Sequence, residues 1–236
     1  MKIDIKIIDI KKQNLNSKLY KFLIQKYKLV ILRNFFNEND IINEVNKFKK
    51  RKIKYLKKSG DYFFGKKNFI RFDKKIIKNK FSNYSRYQYM HTLFSWNKDK
   101  SFKNIFNKLI KLRNNILNIK SKKYVFNYNN KKFINIPKVL HYPNGGFLDK
   151  HIDYNEDNDS NFIIVASKKG INFHKGGLSY EIKKKYIEIE KFIKIGDVVC
   201  NDHLIKHGVK KIKLKKNQIG RFSLVLSMHK LQKTVN

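Results

Sequence analysis

Apolar and polar positions follow two different periods along this chain. Lys28-Leu29-Val30-Ile31-Leu32-Arg33 is a short apolar run suited to a buried strand. Asn37 or Asn39 can then cap a helix whose apolar positions Ile41, Ile42, Val45 and Phe48 recur at helical spacing. A second amphipathic helix is predicted from Ser101 to about Ile119, with Phe102, Ile105, Phe106, Leu109, Ile110, Leu112 and Ile116 along one side.

From Tyr124 onward the pattern shortens. Apolar stretches at Val139 to Tyr142, Phe162 to Ala166, Tyr186 to Ile189, Asp197 to Cys200 and Phe222 to Ser227 are separated by turn residues. Eight of the ten glycines follow residue 144, and both prolines, Pro137 and Pro143, lie just before it, so the two halves differ in architecture. Closely spaced strands with Gly-Gly and Gly-Asp turns indicate an all-β sandwich or jelly roll rather than βαβ units. The expected fold class is α+β with a predominantly β core. Residues 1–236 read as one domain, with 1–123 mainly helical and 124–236 forming the β-rich core.

Composition narrows the picture. With 41% hydrophobic and 14% aromatic residues, the chain is too apolar for a disordered basic tail. Its 55 Lys+Arg against 18 Asp+Glu give a net charge of +37, which invites a nucleic-acid reading. However, the lysines are spread from Lys2 to Lys233 and accompany abundant Asn and Ile, residue types with AT-rich codons, so compositional drift explains the background without a selected partner. The single cysteine, Cys200, excludes an internal disulfide framework and any CxxC-type zinc site and suits a reducing compartment. No run approaches a membrane span, and the start alternates charge with Ile rather than showing a signal-peptide core, so a cytoplasmic protein without a membrane partner is expected.

The chemistry concentrates late in the chain. In the extended stretch Leu140 to Asp153, His151 and Asp153 are two apart and share a face, offering an imidazole and a carboxylate to a divalent metal. A surface hydrogen-bonded pair is the plain alternative. The segment Gly196 to Val209 offers His203 and His207 as a third ligand. His207 is preferred because Gly208-Val209 restarts an extended segment after it. His203 and His207 at helical spacing would suit zinc, but no Glu stands beside His203 to complete HExxH. Arg221 and Ser223 also share a strand face and together can grip a carboxylate. Two His and one carboxylate leave the opposite side of a metal open, the arrangement of non-haem Fe(II) oxygenases.

The ordered set Tyr142-Pro143-Asn144-Gly145-Gly146, His151-Ile152-Asp153, Gly196-Asp197 before a strand, His207-Gly208-Val209 and Arg221-Phe222-Ser223 resembles the Fe(II)/2-oxoglutarate-dependent dioxygenases. The likeness covers about residues 137 to 228, and the strand and helix at 28 to 48 look like the family's N-terminal extension. It implies a double-stranded β-helix, a cupin-like jelly roll with flanking α-helices. It further implies Fe(II) held by His151, Asp153 and His207, and 2-oxoglutarate as cosubstrate, its distal carboxylate on Arg221 and Ser223. Tyr142 resembles residues that support that carboxylate, though plain packing explains it equally well. O2 would then be used to hydroxylate a C–H, releasing succinate and CO2. Relatives that halogenate replace this carboxylate with a small residue, so the presence of Asp153 favours hydroxylation.

For the substrate, the sequence offers only a wall or lid. Ser85 to Asn97 mixes aromatic and polar groups before a helix, and Arg86, His91 and Trp96 are the candidate contacts. The loop from Tyr154 to Asn161 is a second candidate lid. A small molecule such as an amino acid or natural-product intermediate is the leading substrate class. A macromolecular substrate, by nucleic-acid demethylation or protein hydroxylation, is the runner-up, and a non-enzymatic basic nucleic-acid-binding protein is third. Nucleic acid is not expected to be the specific partner.

Overall fold

Along Arg221-Phe222-Ser223-Leu224-Val225-Leu226, odd and even side chains face opposite ways, as extended backbone requires. The computed structural model describes residues 5–50, 69–78, 83–93, 102–118, 128–129, 133–153 and 160–230. In it, Phe222, Leu224 and Leu226 join one buried cluster, while Arg221, Ser223 and Val225 line a cavity on the other face. Neighbouring strands divide in the same way. Val30 and Leu32, Phe162 and Ile164, and Val198 and Cys200 belong to the first cluster; Leu29 and Ile31, Ile163 and Val165, and Val199 belong to a second. Burial on both faces is why these strands read as near-continuous apolar runs.

In chain order the elements are β1 (Lys6–Asp9), α1 (Ser17–Tyr27), β2 (Leu29–Arg33), α2 (Glu38–Lys50), β3 (Phe69–Lys78), β4 (Asn83–Thr92), α3 (Lys103–Ile116), β5 (Tyr128–Asn129), β6 (Phe133–Tyr142), β7 (Phe147–His151), β8 (Ser160–Val165), β9 (Lys175–Ile182), β10 (Lys185–Glu188), β11 (Val198–Asp202), β12 (His207–Lys213) and β13 (Arg221–Lys230). Among the described residues the strands form one 13-stranded sheet whose main path runs β1-β2-β11-β8-β13-β6-β4-β7-β12-β9-β10. The block β11-β8-β13-β6 forms one wall of a jelly roll and β7-β12-β9-β10 the other. β4 spans them, pairing with β6 near its end and with β7 through Arg86 and Tyr87. Gly145, at φ +77, makes the turn from β6 into β7. Among the described residues no helix is long and apolar enough to cross a membrane.

The helices cover the outer face of the first wall. Tyr20, Leu23 and Ile24 of α1, Ile41, Val45 and Phe48 of α2, and Phe106, Leu109 and Ile110 of α3 meet the outward side chains of the sheet in one cluster. α1 starts at the cap Asn16, whose side chain accepts from the Leu19 N–H at 2.9 Å. It ends where Lys28 enters the left-handed region at φ 60. Residues 1–123 read from sequence as mainly helical, yet they supply β1 to β4 as well as the three helices. β4 escapes the apolar pattern because its inward residues Tyr84, Arg86 and Gln88 face a cavity rather than a core.

His141, on the outer side of β6, stacks on Phe222 at 4.2 Å and 7°. Its Nε2–H donates to the Ile219 carbonyl at 2.8 Å. Burial pushes this imidazole down to about 4, so the folded chain keeps it neutral where the unfolded chain takes up a proton. Stability therefore falls as pH drops from the ordinary histidine value towards about 4, by about 3 kcal/mol from this residue. His141→Phe should flatten that part of the acid slope in urea unfolding between about pH 7 and about pH 4.5. An unchanged slope would mean that the folded state accepts the proton.

Candidate active site

His151 is the last residue of β7 and His207 the first of β12, and the antiparallel register sets them directly opposite each other. Asp153 follows two residues after His151, where the chain leaves the strand. The two Nε2 atoms converge on its carboxylate, His151 at 3.2 Å from Oδ1 and His207 at 3.3 Å from Oδ2. One ligand atom from each of the three residues lies within 4.8 Å of the others. Each imidazole is fixed from behind. Nδ1–H of His151 donates to the Asp149 carbonyl at 3.0 Å, and Nδ1–H of His207 to the Ile205 carbonyl at 3.1 Å. This tautomer leaves both Nε2 lone pairs aimed at the common point, as metal-binding histidines require.

Surrounding side chains hold the cluster. Tyr84 of β4 stacks on His151 at 4.5 Å, and Tyr180 of β9 stacks on His207 at 5.6 Å while its hydroxyl donates to Asn201 Oδ1 at 3.1 Å. Asn161 donates to Asp153 Oδ2 at 2.6 Å. Burial alone would push Asp153 up, but the charges and hydrogen bonds of His207 and His151 outweigh it and hold this carboxyl well below its usual range. Burial likewise opposes charge on His207, yet the Asp153 carboxylate raises it above the ordinary imidazole value. The field that favours a proton there also favours a dication. Two imidazole nitrogens and a carboxylate oxygen, converging from one side, fit Fe(II) with open positions towards the cavity.

That cavity, about 340 Å³, runs inward from the triad between the two walls. Arg221 and Ser223 line it from β13, and Tyr142, paired with Arg221 in register, lines it from β6. Arg221 is 1% exposed, and its Nη1 donates to Ser223 Oγ. Its Nε donates to Glu190 Oε1 at 2.7 Å. The same Glu190 oxygen accepts the Leu178 N–H at 2.8 Å. Glu190 was not legible as a site residue, since a Glu between Ile189 and Lys191 resembles any surface position. Its space exists because residue 177 is glycine: at φ +137, a Cβ there would lie 2.2 Å from Glu190 Cγ. Gly177→Ala should therefore lower the unfolding midpoint by several degrees, as a thermal melt would show, with about 2 kcal/mol lost.

Of the expected substrate contacts, Arg86 lines the cavity, its guanidinium lying over the Phe72 ring at 3.5 Å. His91 does not. The segment is a strand rather than a lid before a helix, so Met90 faces inward and His91 outward, 5.3 Å from the Phe48 ring. Trp96 lies outside the described residues, as does 154–159 of the second expected lid; Asn161 sits on β8 against Asp153. Lys138 on β6 lines the cavity and was not anticipated. His203 stays out of the triad, 3.6 Å from Asp202. Cys200 is fully buried in β11. A second hollow of about 400 Å³, beside Lys26 and Leu204, brings together no such ligand set.

No protein-family model matches the sequence, and no curated protein matches it. Solved structures do match in fold. A Pseudomonas putida prolyl-4-hydroxylase is 12% identical with TM-score 0.54, covering 89% of this chain and 95% of that one. An oxidoreductase of the 2OG-Fe(II) oxygenase family from Burkholderia pseudomallei is 10% identical with TM-score 0.53, covering 95% of both. A full-length Neurospora crassa protein in complex with alpha-KG and thymine is 14% identical with TM-score 0.58, covering 98% of this chain and 87% of that one.

Proposed function

We propose that this chain is an Fe(II)- and 2-oxoglutarate-dependent dioxygenase that hydroxylates a C–H of a small molecule. The observation that carries the reading is the His151, Asp153 and His207 cluster opening onto a buried cavity walled by Arg221 and Ser223. The neighbours in fold, including structures crystallised with alpha-KG, support the same class. When bound, Fe(II) with 2-oxoglutarate and O2 supplies the oxidation of an unactivated C–H, with succinate and CO2 as by-products.

The chain's own residues bind and orient. His151, Asp153 and His207 would hold the metal, and their fixed Nδ1–H bonds keep the ring planes from turning. Arg221, set by Glu190, and Ser223 would receive the distal carboxylate of 2-oxoglutarate, and Tyr142 faces the same end of the cavity. The apolar side chains Leu140, Leu148, Ile163 and Val209 limit water around the reacting atoms. Residues 1–236 are read as one domain, a reading supported by the strands β1 to β4 of the N-terminal half joining the same sheet as the later strands. The lone, buried Cys200 fits a reducing cytoplasm.

Anaerobic addition of Fe(II) and 2-oxoglutarate should produce the visible charge-transfer band of their chelate, and admission of O2 should yield succinate. A folded protein without the band would refute the reading. A macromolecular substrate is the second reading, favoured by the +37 charge and by a neighbouring prolyl hydroxylase solved in complex with a peptide fragment. If charge alone is responsible for nucleic-acid affinity, binding to generic DNA will vanish steeply with salt and show no base preference. Tight, sequence-dependent binding at high salt would favour the macromolecular reading.

A further inference from the structure

The cavity contains a cation that the proposed metal and cosubstrate do not use. In that reading, on which this inference rests, Asp153 and the 2-oxo acid end of 2-oxoglutarate would face Fe(II), and Arg221 and Ser223 would receive the distal carboxylate. Lys138 lines the same cavity from β6. It stands four residues before Tyr142, the register partner of Arg221, and so lies about 13 Å along the strand from the carboxylate anchor. Among the described residues no carboxylate lies within ion-pair distance of its ammonium. An ammonium that lines a cavity with no carboxylate at contact distance among the described residues is placed to receive a bound anion.

The side chain is built in. Lys138 sits mid-strand, opposite Val225 of β13. Burial and the Arg86 charge push its ammonium down to about 8, against the opposing pull of Asp153. A bound anion would restore its full charge. Arg86 lines the same cavity, its guanidinium 3.5 Å from the centre of the Phe72 ring, a contact that restrains the fork. The two together present an ammonium and an oriented guanidinium to one anion.

We propose that Arg86 and Lys138 form a carboxylate receptor, and that the substrate is a small carboxylic acid oxidised at a carbon between that receptor and the triad. A carboxylate offers two coplanar oxygens, one to the guanidinium fork and one to the ammonium, and it is the anion to which the proposal commits.

The test is calorimetric, on protein loaded with redox-inert Zn(II), with and without 2-oxoglutarate. A panel of small carboxylic acids, their primary amides and matched phosphate esters is titrated. At least one acid should bind about tenfold or more tightly than its amide. Arg86→Gln and Lys138→Met should each abolish that preference while leaving 2-oxoglutarate affinity within about twofold, and Arg221→Gln should do the reverse. Lys138→Gln, which keeps a polar end, guards against misfolding of the Met variant. Equal binding or non-binding of acids and amides overturns the proposal, as does preference for the phosphate esters. Weakening of 2-oxoglutarate by Lys138→Met to the same extent as by Arg221→Gln also overturns it, because the pair would then belong to the cosubstrate anchor. Failure of the wild type to bind 2-oxoglutarate counts against the dioxygenase reading alone, since the acid preference is also read in its absence.

Discussion

His207→Ala should extinguish the visible band of the anaerobic Fe(II) and 2-oxoglutarate complex, while His203→Ala should leave it in place. His207 Nε2 is one of three donor atoms within 4.8 Å of one another, and its ring is held by the Ile205 carbonyl and the stacked Tyr180. Loss even of an outer partner of a metal ligand typically costs 10- to 100-fold in affinity, so loss of a ligand should exceed about a hundredfold. His203 has 27% of its side chain exposed and lies near Asp202, outside the cluster. Spectroscopic titration with Fe(II) under fixed 2-oxoglutarate is the measurement. A band surviving in His207→Ala and lost in His203→Ala would reassign the third ligand.

Glu190→Ala should be the most destabilising single change in the site. Glu190 and Arg221 each have only 2% of their side chain exposed, so truncation leaves a guanidinium in the interior without its counter-charge. The expected cost is about 3–5 kcal/mol, read from chemical denaturation. It also removes the acceptor of the Leu178 N–H. Glu190→Gln keeps that acceptor and should lose less. The double replacement Glu190→Leu with Arg221→Met should recover much of the stability, since packed apolar groups often replace a buried ion pair without penalty. It should nevertheless fail to bind 2-oxoglutarate, separating the fold from the site. If Glu190→Ala unfolds at the wild-type denaturant concentration, the pair contributes nothing to stability.

The sequence disclosed those elements whose two faces have different but consistent demands. β2, β8, β11 and β13 were visible because both of their faces are packed, and α2 and α3 because one face carries Ile, Val and Phe at helical spacing. α1 has the same spacing at Leu19, Tyr20, Leu23, Ile24 and Tyr27, but lysines between these positions obscured it. β4 was misread because its cavity face, with Arg86 and Gln88, is as polar as its neighbours, and this error placed His91 in the substrate wall. Five side chains lining one end of the barrel, His151, Asp153, His207, Arg221 and Ser223, were legible from order and two-residue spacing. Glu190 and Lys138 were not, because a single charged residue among 55 Lys+Arg and 18 Asp+Glu carries no local mark of burial. The register of the sheet turns Lys138 towards the cavity, whereas Glu190 lies in the turn after β10 and is placed inward by its bonds to Arg221 and the Leu178 N–H.

The place of β13 in the sheet also constrains how the protein is made. β13 comes after β6 and β8 in the chain, yet it lies between them, hydrogen-bonded to both. During synthesis those two strands must wait with unpaired edges until it arrives, and an open apolar edge is the surface on which chains aggregate. Arg221 and Ser223 arrive on the same strand that closes the gap. In the proposed function, a nascent chain would therefore lack its carboxylate anchor until its core is sealed, and interruption of translation before Arg221 would leave a sticky fragment without that site.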